Sequence, residues 1–137
     1  MKIFIDSANI EEIKEFVELG IVDGCTTNPK FLAQLNFSSV SELIKNICSI
    51  VNGPVSIQVT SENYKEMIEQ ALNFSSIANN VVVKLPATQE GYKALNIIKS
   101  NYKNIKTNLT ACYSASQVLM AAKLNSDYAS LFFNRIK

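Results

Sequence analysis

Apolar and polar positions follow two periods that take turns along the chain. Short β-branched runs such as 55–59 and 81–83 are typical of buried parallel strands. Between such runs, apolar residues recur every three or four positions, as Ile10, Ile13 and Val17 do, and this spacing predicts helices with one buried face. Strand and helix alternate at roughly twenty to thirty residues per unit, which is what parallel βα folds require. The pattern therefore predicts an α/β protein.

Turn and capping residues give the boundaries of these elements. Strands are predicted over 3–5 ending at Asp6, around 24–27, over 55–59, from 81 through the Lys84 run, over 106–110 and over 127–133. Helix starts are predicted at Asn9, at a capping box over 39–42, at Ser61 for a helix through about Leu72, at Thr88, and at a capping box over 114–117. Gly20 is predicted to end the first helix.

Composition narrows the classes of protein. The chain has 137 residues, a usual length for one domain, and 47% of them are apolar. A formal charge of +1 offers no basic field for nucleic acid. The N-terminal run meets Asp6 too early for a signal peptide, and no apolar run is long enough to span a membrane, so we expect a cytosolic protein. The three cysteines lack metal-ligand spacing and are expected to be reduced thiols.

The chain contains no histidine, which excludes Ser-His and Cys-His nucleophile pairs and every histidine metal site. Its four glycines, at positions 20, 24, 53 and 91, do not have the spacing of a phosphate loop or of a dinucleotide-binding motif. No metal and no cofactor is expected. Acid–base and covalent chemistry must then use carboxylates, hydroxyls, amides and lysine.

Lys84 stands at the end of the apolar run 81–83, on the same strand face as Val82. Two interpretations are open from the strand alone. The ammonium group can extend to solvent along its aliphatic stem. Alternatively, burial can lower its pKa and leave a nucleophilic amine that forms a Schiff base with a carbonyl substrate.

Two architectures are compatible with the alternation, a (β/α) barrel and an open doubly wound sheet. The polar residues favour the barrel, because successive strands each deliver one polar group to their C-terminal end, where barrel enzymes build active sites. An open sheet spreads such groups along a line and binds its ligand at one switch point. The strand-end residues are Asp6, Asn28, Gln58, Lys84, Thr110 and Arg135.

Four segments resemble, in order and spacing, the small transaldolase and fructose-6-phosphate aldolase family of class I aldolase barrels. They are the residues FIDSA at 4–8, TTNP at 26–29, VVKLP at 82–86 and FFNRI at 132–136. The resemblance covers the whole chain. It implies a TIM barrel in which a lysine forms a Schiff base with a ketose, in a step of the pentose phosphate pathway, with sugar phosphates as substrates.

The resemblance also implies a role for each matching position. Lys84 falls on the Schiff-base lysine and Asp6 on the acid–base carboxylate. Gln58 and Thr110 fall on the pair that positions the catalytic water. Asn28 falls on the amide that orients substrate hydroxyls, and Arg135 on the phosphate site, where a guanidinium suits an oxyanion.

Three further positions bear on the reaction type. Phe132 lies where aldolases place a tyrosine, and a ring without a hydroxyl cannot help water to release a bound three-carbon unit. Asn108 and Ser130 also match transaldolases better. The resemblance therefore favours transfer of dihydroxyacetone from sedoheptulose 7-phosphate or fructose 6-phosphate to an aldose phosphate, with fructose-6-phosphate aldolase as the alternative.

Each candidate has a structural alternative. Asp6 is also a plausible helix N-cap, Asn28 a turn residue, Gln58 an amide bonded to backbone, Thr110 a simple strand former, Arg135 a solvated charge and Phe132 a core residue. What favours the functional interpretation is that these residues fall at equivalent ends of successive βα units.

The chain is shorter than a complete barrel. Such a barrel has eight strands, and even a short one has roughly 200 residues. We expect residues 1–137 to form a single, incomplete domain of six strands, with strands one and six as bare edges. A truncated product, one half of a split gene, and a chain closed by a partner are all compatible with this. The competing hypothesis is therefore a catalytically incompetent fragment, with a homo-oligomer or a barrel-completing partner expected.

Overall fold

The computed structural model describes residues 1–27, 29–32 and 37–136. Its strands are β1 (Phe4–Asp6), β2 (Gly24–Thr26), β3 (Val55–Gln58), β4 (Val81–Pro86), β5 (Lys106–Cys112) and β6 (Tyr128–Leu131). Its helices are α1 (Ile10–Glu18), α2 (Pro29–Leu32), α3 (Phe37–Ile50), α4 (Tyr64–Ser75), α5 (Gln89–Asn101) and α6 (Ala115–Lys123). A 3₁₀ turn, Phe133–Arg135, follows β6.

All six strands are parallel, and their order across the sheet is their order in the sequence. A doubly wound sheet would reverse the strand order at a switch point. The uninterrupted order instead matches a barrel, in which each crossover helix places the next strand on the same side. The sheet is therefore a partial TIM barrel of six strands, as the sequence predicted.

The two faces of the sheet carry different chemistry. On β4, Val83 and Leu85 are fully buried and belong to the main apolar core, with Met67 of α4 and Leu95 of α5. The alternate residue Lys84 points to the other face, because side chains along a strand alternate. In-register pairing then sets Gln58, Lys84 and Asn108 side by side on this inner face.

The inner face is curved enough to bring its two edge strands together at their N-terminal ends. The rings of Phe4 on β1 and Tyr128 on β6 meet edge to face with centroids 6.3 Å apart. Gly24 makes room for this contact, since a Cβ at that position would lie 2.2 Å from the Phe4 ring. In the part of the chain that the structure describes, β1 and β6 each pair with one neighbouring strand and not with each other.

Several predicted helix ends are confirmed. The side chains of Asn9, Thr88 and Ser114 accept hydrogen bonds from backbone N–H groups in the first turns of α1, α5 and α6. Gly20 follows α1 with φ of +72°, the left-handed conformation that glycine adopts without strain.

The predicted capping box over 39–42 is wrong, because α3 already begins at Phe37. Val40 is buried together with Ile44 and Ile47, so the buried face of the helix starts a turn earlier than predicted and keeps Ser39 inside the helix.

The N-cap of helix α4 lies two residues later than predicted. Ser61 does not cap it, since the Ser61 hydroxyl donates to Glu66 and its oxygen accepts the Asn63 N–H. Asn63 is the N-cap instead, and it accepts from the Glu66 N–H. The helix ends at Ser75 rather than near Leu72.

Strand β6 is shorter than the predicted 127–133. Asp127 lies just before it, where its carboxylate accepts from Lys99 and from the Thr107 N–H instead of joining the ladder. The short helix α2 was not predicted. No helix within 1–27, 29–32 and 37–136 has the length and apolarity that a membrane crossing requires.

Candidate active site

A cleft of about 610 Å³ lies at the C-terminal ends of the strands, and every strand contributes to it. The residues from the strands and their ends are Asp6, Thr26, Thr27, Gln58, Lys84, Thr110, Ala111, Ser130, Leu131 and Phe132, joined by Pro29, Lys30 and Arg135. Convergence of strand ends on one cleft is the arrangement from which barrel enzymes build active sites.

The structure brings most of the predicted site residues together in this cleft. Asp6, Gln58, Lys84, Thr110, Ser130, Phe132 and Arg135 all line it. Asn108 lies beside Lys84 in the sheet and accepts a hydrogen bond from the Ser130 hydroxyl at 3.0 Å. Asn28, predicted to orient substrate hydroxyls, lies outside the described residues.

Lys84 is buried, with 8% of its surface exposed, so its side chain does not extend to solvent. Burial lowers the pKa of its ammonium group, while the negative charge of Asp6 acts in the opposite direction. On balance the pKa of Lys84 is lowered, so its neutral amine forms more readily than that of an ordinary lysine. A neutral, buried amine is the form that attacks a carbonyl carbon.

Gln58 and Thr110 lie on the strands at either side of Lys84. Gln58 is its direct neighbour on β3, and Thr110 pairs with Pro86 on the opposite side. The Thr110 hydroxyl oxygen is buried and has no hydrogen-bond partner in the described structure. A buried hydroxyl is rarely left unsatisfied in a native protein, and a bound water or substrate at this point would satisfy it.

The backbone directly after Thr110 is strained. Ala111 has φ of +59°, and the β5–β6 register shifts between Leu109 and Cys112. Left-handed backbone at a residue other than glycine is uncommon and concentrates at functional sites. The bulge interrupts the β5–β6 ladder at Thr110, and the Cys112 carbonyl beyond it accepts the Phe132 N–H at 2.9 Å.

Asp6 is the last residue of β1 and its carboxylate faces the cleft. The Thr26 hydroxyl donates to Asp6 Oδ1 at 2.8 Å. The helix cap that Asp6 might have provided is made by Asn9. Sequence reasoning assigned no role to Thr26, although it opens the segment 26–29 on which the family resemblance partly rests.

Arg135 stands on the 3₁₀ turn after β6, and Lys30 on α2 after β2. These two strands are four positions apart, so in a barrel their ends face each other across the mouth. The charged residues among the described lining are the cations Lys30, Lys84 and Arg135 and the carboxylate of Asp6. With three basic residues and one carboxylate, the described lining suits an anionic ligand.

Sequence reasoning also missed Lys30. Its position in the sequence, shortly after the predicted strand around 24–27, is the signal that could have found it, because residues after strand ends form the functional rim. Phe132, in contrast, was predicted, and its ring packs edge to face against Tyr113 with centroids 5.5 Å apart.

A second cleft of about 450 Å³ opens at the opposite end of the sheet. Two of its polar side chains have structural partners: the Asn80 amide donates to the carbonyls of Cys48, Val51 and Gly53, and Asp127 is paired with Lys99. In the described ranges, His, Cys, Asp and Glu form no group of three able to hold a metal ion.

A family model described as transaldolase/fructose-6-phosphate aldolase matches residues 3–137. The chain belongs to this family. Curated relatives named "Probable transaldolase" are 48% identical in Desulforapulum autotrophicum, 47% in Dictyoglomus turgidum and 48% in Methanococcus vannielii. Each alignment covers 136 residues, 99% of this chain and 62% of the relative. The chain thus spans about three fifths of the length of the transaldolases it matches.

Solved structures support the fold of this transaldolase-family chain. The Plasmodium falciparum HPPK-DHPS crystal structure with pterin and p-hydroxybenzoate matches 95% of this chain and 31% of its own, with a TM-score of 0.56 and 16% identity. A triple mutant of the same protein with pteroate gives a TM-score of 0.57 at 15% identity. At such low sequence identity, the similarity of these structures to this chain is evidence for its fold alone.

Proposed function

We propose that this chain carries the catalytic centre of a transaldolase, which moves a dihydroxyacetone unit from a ketose phosphate to an aldose phosphate. The observation that carries this proposal is the buried, pKa-lowered Lys84 in a cleft that also holds the carboxylate of Asp6. An amine and a carboxylate are sufficient for the reaction, because the iminium is the electron sink and one further group must move a proton.

In the first half of the reaction, the neutral Lys84 amine attacks the ketose carbonyl carbon. The resulting carbinolamine loses water and becomes an iminium. Gln58 is the direct neighbour of Lys84 on β3, and the unsatisfied hydroxyl of Thr110 lies in the same cleft. We assign to these two residues the water that enters and leaves in this step.

In the second half, the Asp6 carboxylate takes the proton of the C4 hydroxyl, which is on the far carbon of the C3–C4 bond that breaks. The oxygen's electron pair forms the aldehyde carbonyl, and the electrons of the carbon–carbon bond move into the iminium, which becomes an enamine on Lys84. Aldose phosphate leaves, and attack of the enamine on a second aldose phosphate reverses the sequence. Protons and electrons balance without a metal or cofactor.

The substrate is a sugar phosphate in this proposal. We assign its phosphate to Arg135, whose planar fork can donate two parallel hydrogen bonds to an oxyanion. The Asn108–Ser130 pair beside Lys84, together with Asn28, is assigned to substrate hydroxyls. Phe132 supports transfer over hydrolytic release, because its ring presents no hydroxyl to a water; fructose-6-phosphate aldolase is the alternative.

The edges of the sheet lead us to propose further that activity needs a closed barrel. On the β6 side, Leu131, Phe132 and Phe133 are exposed, and on the β1 side a cleft of about 350 Å³ is lined by Ile3, Ile5 and other apolar residues. Exposed strand edges invite pairing, so a barrel-completing partner segment or a homo-oligomer would cover them. We propose neither nucleic acid nor membrane as a partner.

The proposal is tested by trapping the iminium. Borohydride added with fructose 6-phosphate should add the mass of the reduced sugar adduct at Lys84, and the Lys84→Met variant should not be labelled. A folded wild-type sample without label would favour the incompetent fragment. Formation of free dihydroxyacetone as fast as transfer to erythrose 4-phosphate would establish the aldolase alternative instead.

A further inference from the structure

We propose that Thr26 is the residue that positions the Asp6 carboxylate for proton transfer, by a hydrogen bond that serves the carbon–carbon step and not Schiff-base formation. This inference rests on the proposed function, in which Asp6 acts on the substrate hydroxyl. Thr26 is called a positioning residue because it acts through Asp6.

The need for such a residue follows from where Asp6 lies. β1 has three residues and is an edge strand, with β2 as its one partner in the described sheet. Asp6 is its last residue and is exposed, so packing does not fix the carboxylate. A catalytic base must nevertheless be held in place relative to the proton it removes.

Thr26 is placed to supply this constraint. It is the residue directly opposite Asp6 in the β1–β2 pairing, and its Oγ1 donates to Asp6 Oδ1 at 2.8 Å. A β-branched threonine has few side-chain rotamers, so the donor is itself well oriented. Holding Oδ1 leaves Oδ2 as the oxygen that accepts the substrate proton.

The backbone on both sides of this pair is anchored as well. The Ser7 N–H donates to the Thr26 carbonyl at 3.0 Å, and the Cys25 thiol donates to the Ser7 carbonyl at 3.3 Å. The Ser7 hydroxyl donates to Glu12 and accepts the Asn9 N–H at 3.1 Å. These bonds join the end of β1 to the end of β2 and to the start of α1.

The neighbouring Thr27 shows that the Thr26–Asp6 hydrogen bond is not one that every threonine at the end of β2 makes. Thr27 Oγ1 donates to the backbone carbonyl of Ser56 at 3.0 Å and is fully buried. The two adjacent hydroxyls therefore differ in acceptor: one bonds the peptide chain, and the other bonds the carboxylate assigned to catalysis.

The experiment compares three variants of the chain. Thr26→Val keeps the shape and removes the hydroxyl, and Thr26→Ser keeps the hydroxyl. Thr107→Val is the matched control, since the Thr107 hydroxyl is buried on β5 within 3.2 Å of the Ser126 hydroxyl, away from the cleft. For each, we would measure borohydride trapping of fructose 6-phosphate at Lys84, kcat and KM for transfer to erythrose 4-phosphate, and Tm.

Thr26→Val should lower kcat about 10-fold to 100-fold, the effect of losing one hydrogen bond to a charged group, with trapping and Tm near wild type. Thr26→Ser should recover kcat to within about 3-fold of wild type, since the donor is restored. Thr107→Val should lower Tm and leave kcat unchanged.

Different results overturn different statements. Wild-type kcat in Thr26→Val, or an equal loss of kcat in the valine and serine variants, would overturn the role of Thr26 while the proposed function stands. Loss of trapping together with turnover in Thr26→Val would show a general disturbance of the site and would also overturn it. Absence of trapping and transfer in a wild-type sample whose barrel is closed, as an oligomer or by a partner segment, would overturn the proposed function, and this inference with it.

Discussion

The central strand β4 and the edge strands β1 and β6 bring residues to one cleft by different physical means. Every residue of β4 from Val81 to Leu85 is buried, and Lys84 owes its lowered pKa to that burial. On β6, Tyr128 and Leu131 are 40% and 44% exposed. Apolar packing therefore fixes the centre of the site, whereas the edges depend on individual hydrogen bonds and ion pairs.

The edge contacts can be named. At one edge, Thr26 holds Asp6. At the other, Asp127 accepts from Lys99 Nζ at 2.6 Å and from the Thr107 N–H at 2.9 Å, which fixes the start of β6 against α5 and β5. The comparison predicts that substitutions at the centre change chemistry without lowering stability. At the edges, a substitution can lower stability without changing chemistry, or change chemistry without lowering stability.

The largest effect is expected at the centre. Lys84→Met should abolish borohydride labelling and reduce turnover to background. The same change should raise the free energy of unfolding by about 1 kcal/mol near neutral pH. Burying the Lys84 amine costs free energy, whether it stays charged or loses its proton on folding, and an apolar group of similar length avoids this cost.

The stability difference between Lys84→Met and wild type should change with pH in a definite direction. The pKa of Lys84 is lower in the folded state, so the folded state binds fewer protons and wild-type stability rises with pH towards the ordinary lysine value. The stability gap between Lys84→Met and wild type should therefore narrow as pH rises from about 7 to about 10. Urea unfolding at several pH values checks this, with the exposed Lys123→Met as control. A gap that is constant with pH would contradict the prediction.

The next largest effect concerns the two cations at the mouth. Arg135→Gln should raise KM for erythrose 4-phosphate about 10-fold to 100-fold, since up to two charge-assisted hydrogen bonds are lost, and Lys30→Gln should raise it about 3-fold to 10-fold. The KM for unphosphorylated erythrose should change little in either. Lys123→Gln removes one positive charge outside the cleft and is the control; an equal effect there would indicate a general charge effect.

A smaller effect, confined to stability, is expected at the β6 edge. Asp127→Asn should lower the free energy of unfolding by about 1–2 kcal/mol at neutral pH. Burial acts to raise the pKa of Asp127, but the hydrogen bonds from Lys99 and the Thr107 N–H and the charges of Lys99 and Lys106 outweigh it and leave the pKa lowered.

Because the folded-state pKa lies below the ordinary value of 3.8, the stabilisation from Asp127 is present above that pH and is lost as pH falls through the lower value. The difference between Asp127→Asn and wild type should disappear in strongly acidic solution. Denaturant unfolding at neutral and acidic pH measures it, with the exposed Glu42→Gln as control. A difference that persists at the acidic end would show that the charge is not the cause.

The smallest effect concerns the choice between transfer and cleavage. Phe132→Tyr should raise the ratio of free dihydroxyacetone to transferred product about 2-fold to 5-fold, because a hydroxyl on this ring can orient water toward the bound unit. Phe133→Tyr is the same substitution one residue along, at a ring that is 82% exposed and outside the cleft lining, and it should leave the ratio unchanged. A similar rise in both variants would remove Phe132 from this role.

The sequence predicted correctly those helix starts that depend only on residues close together in the chain. Asn9, Thr88 and Ser114 are caps because a short polar side chain reaches the next turn of its own chain, and this needs no tertiary contact. The predicted starts of α3 and α4 were wrong. Buried Val40 extends the packed face of α3 towards its N-terminus, and Asn63 replaces Ser61 as the cap of α4. Burial and competition between neighbouring hydroxyls are decided only in the folded chain.

The sequence predicted which strand-end residues form the site, but it did not predict the hydrogen bonds between them. By itself the sequence determined that Lys84 closes a buried run and that Asp6 ends the first strand. It also determined that no histidine is present. The tertiary structure decided that Lys84 is buried on the inner face, that Thr26 donates to Asp6, and that the Thr110 hydroxyl is left unsatisfied beside a strained Ala111. The physical reason is that strand register and sheet curvature set these contacts between residues that are distant in the chain.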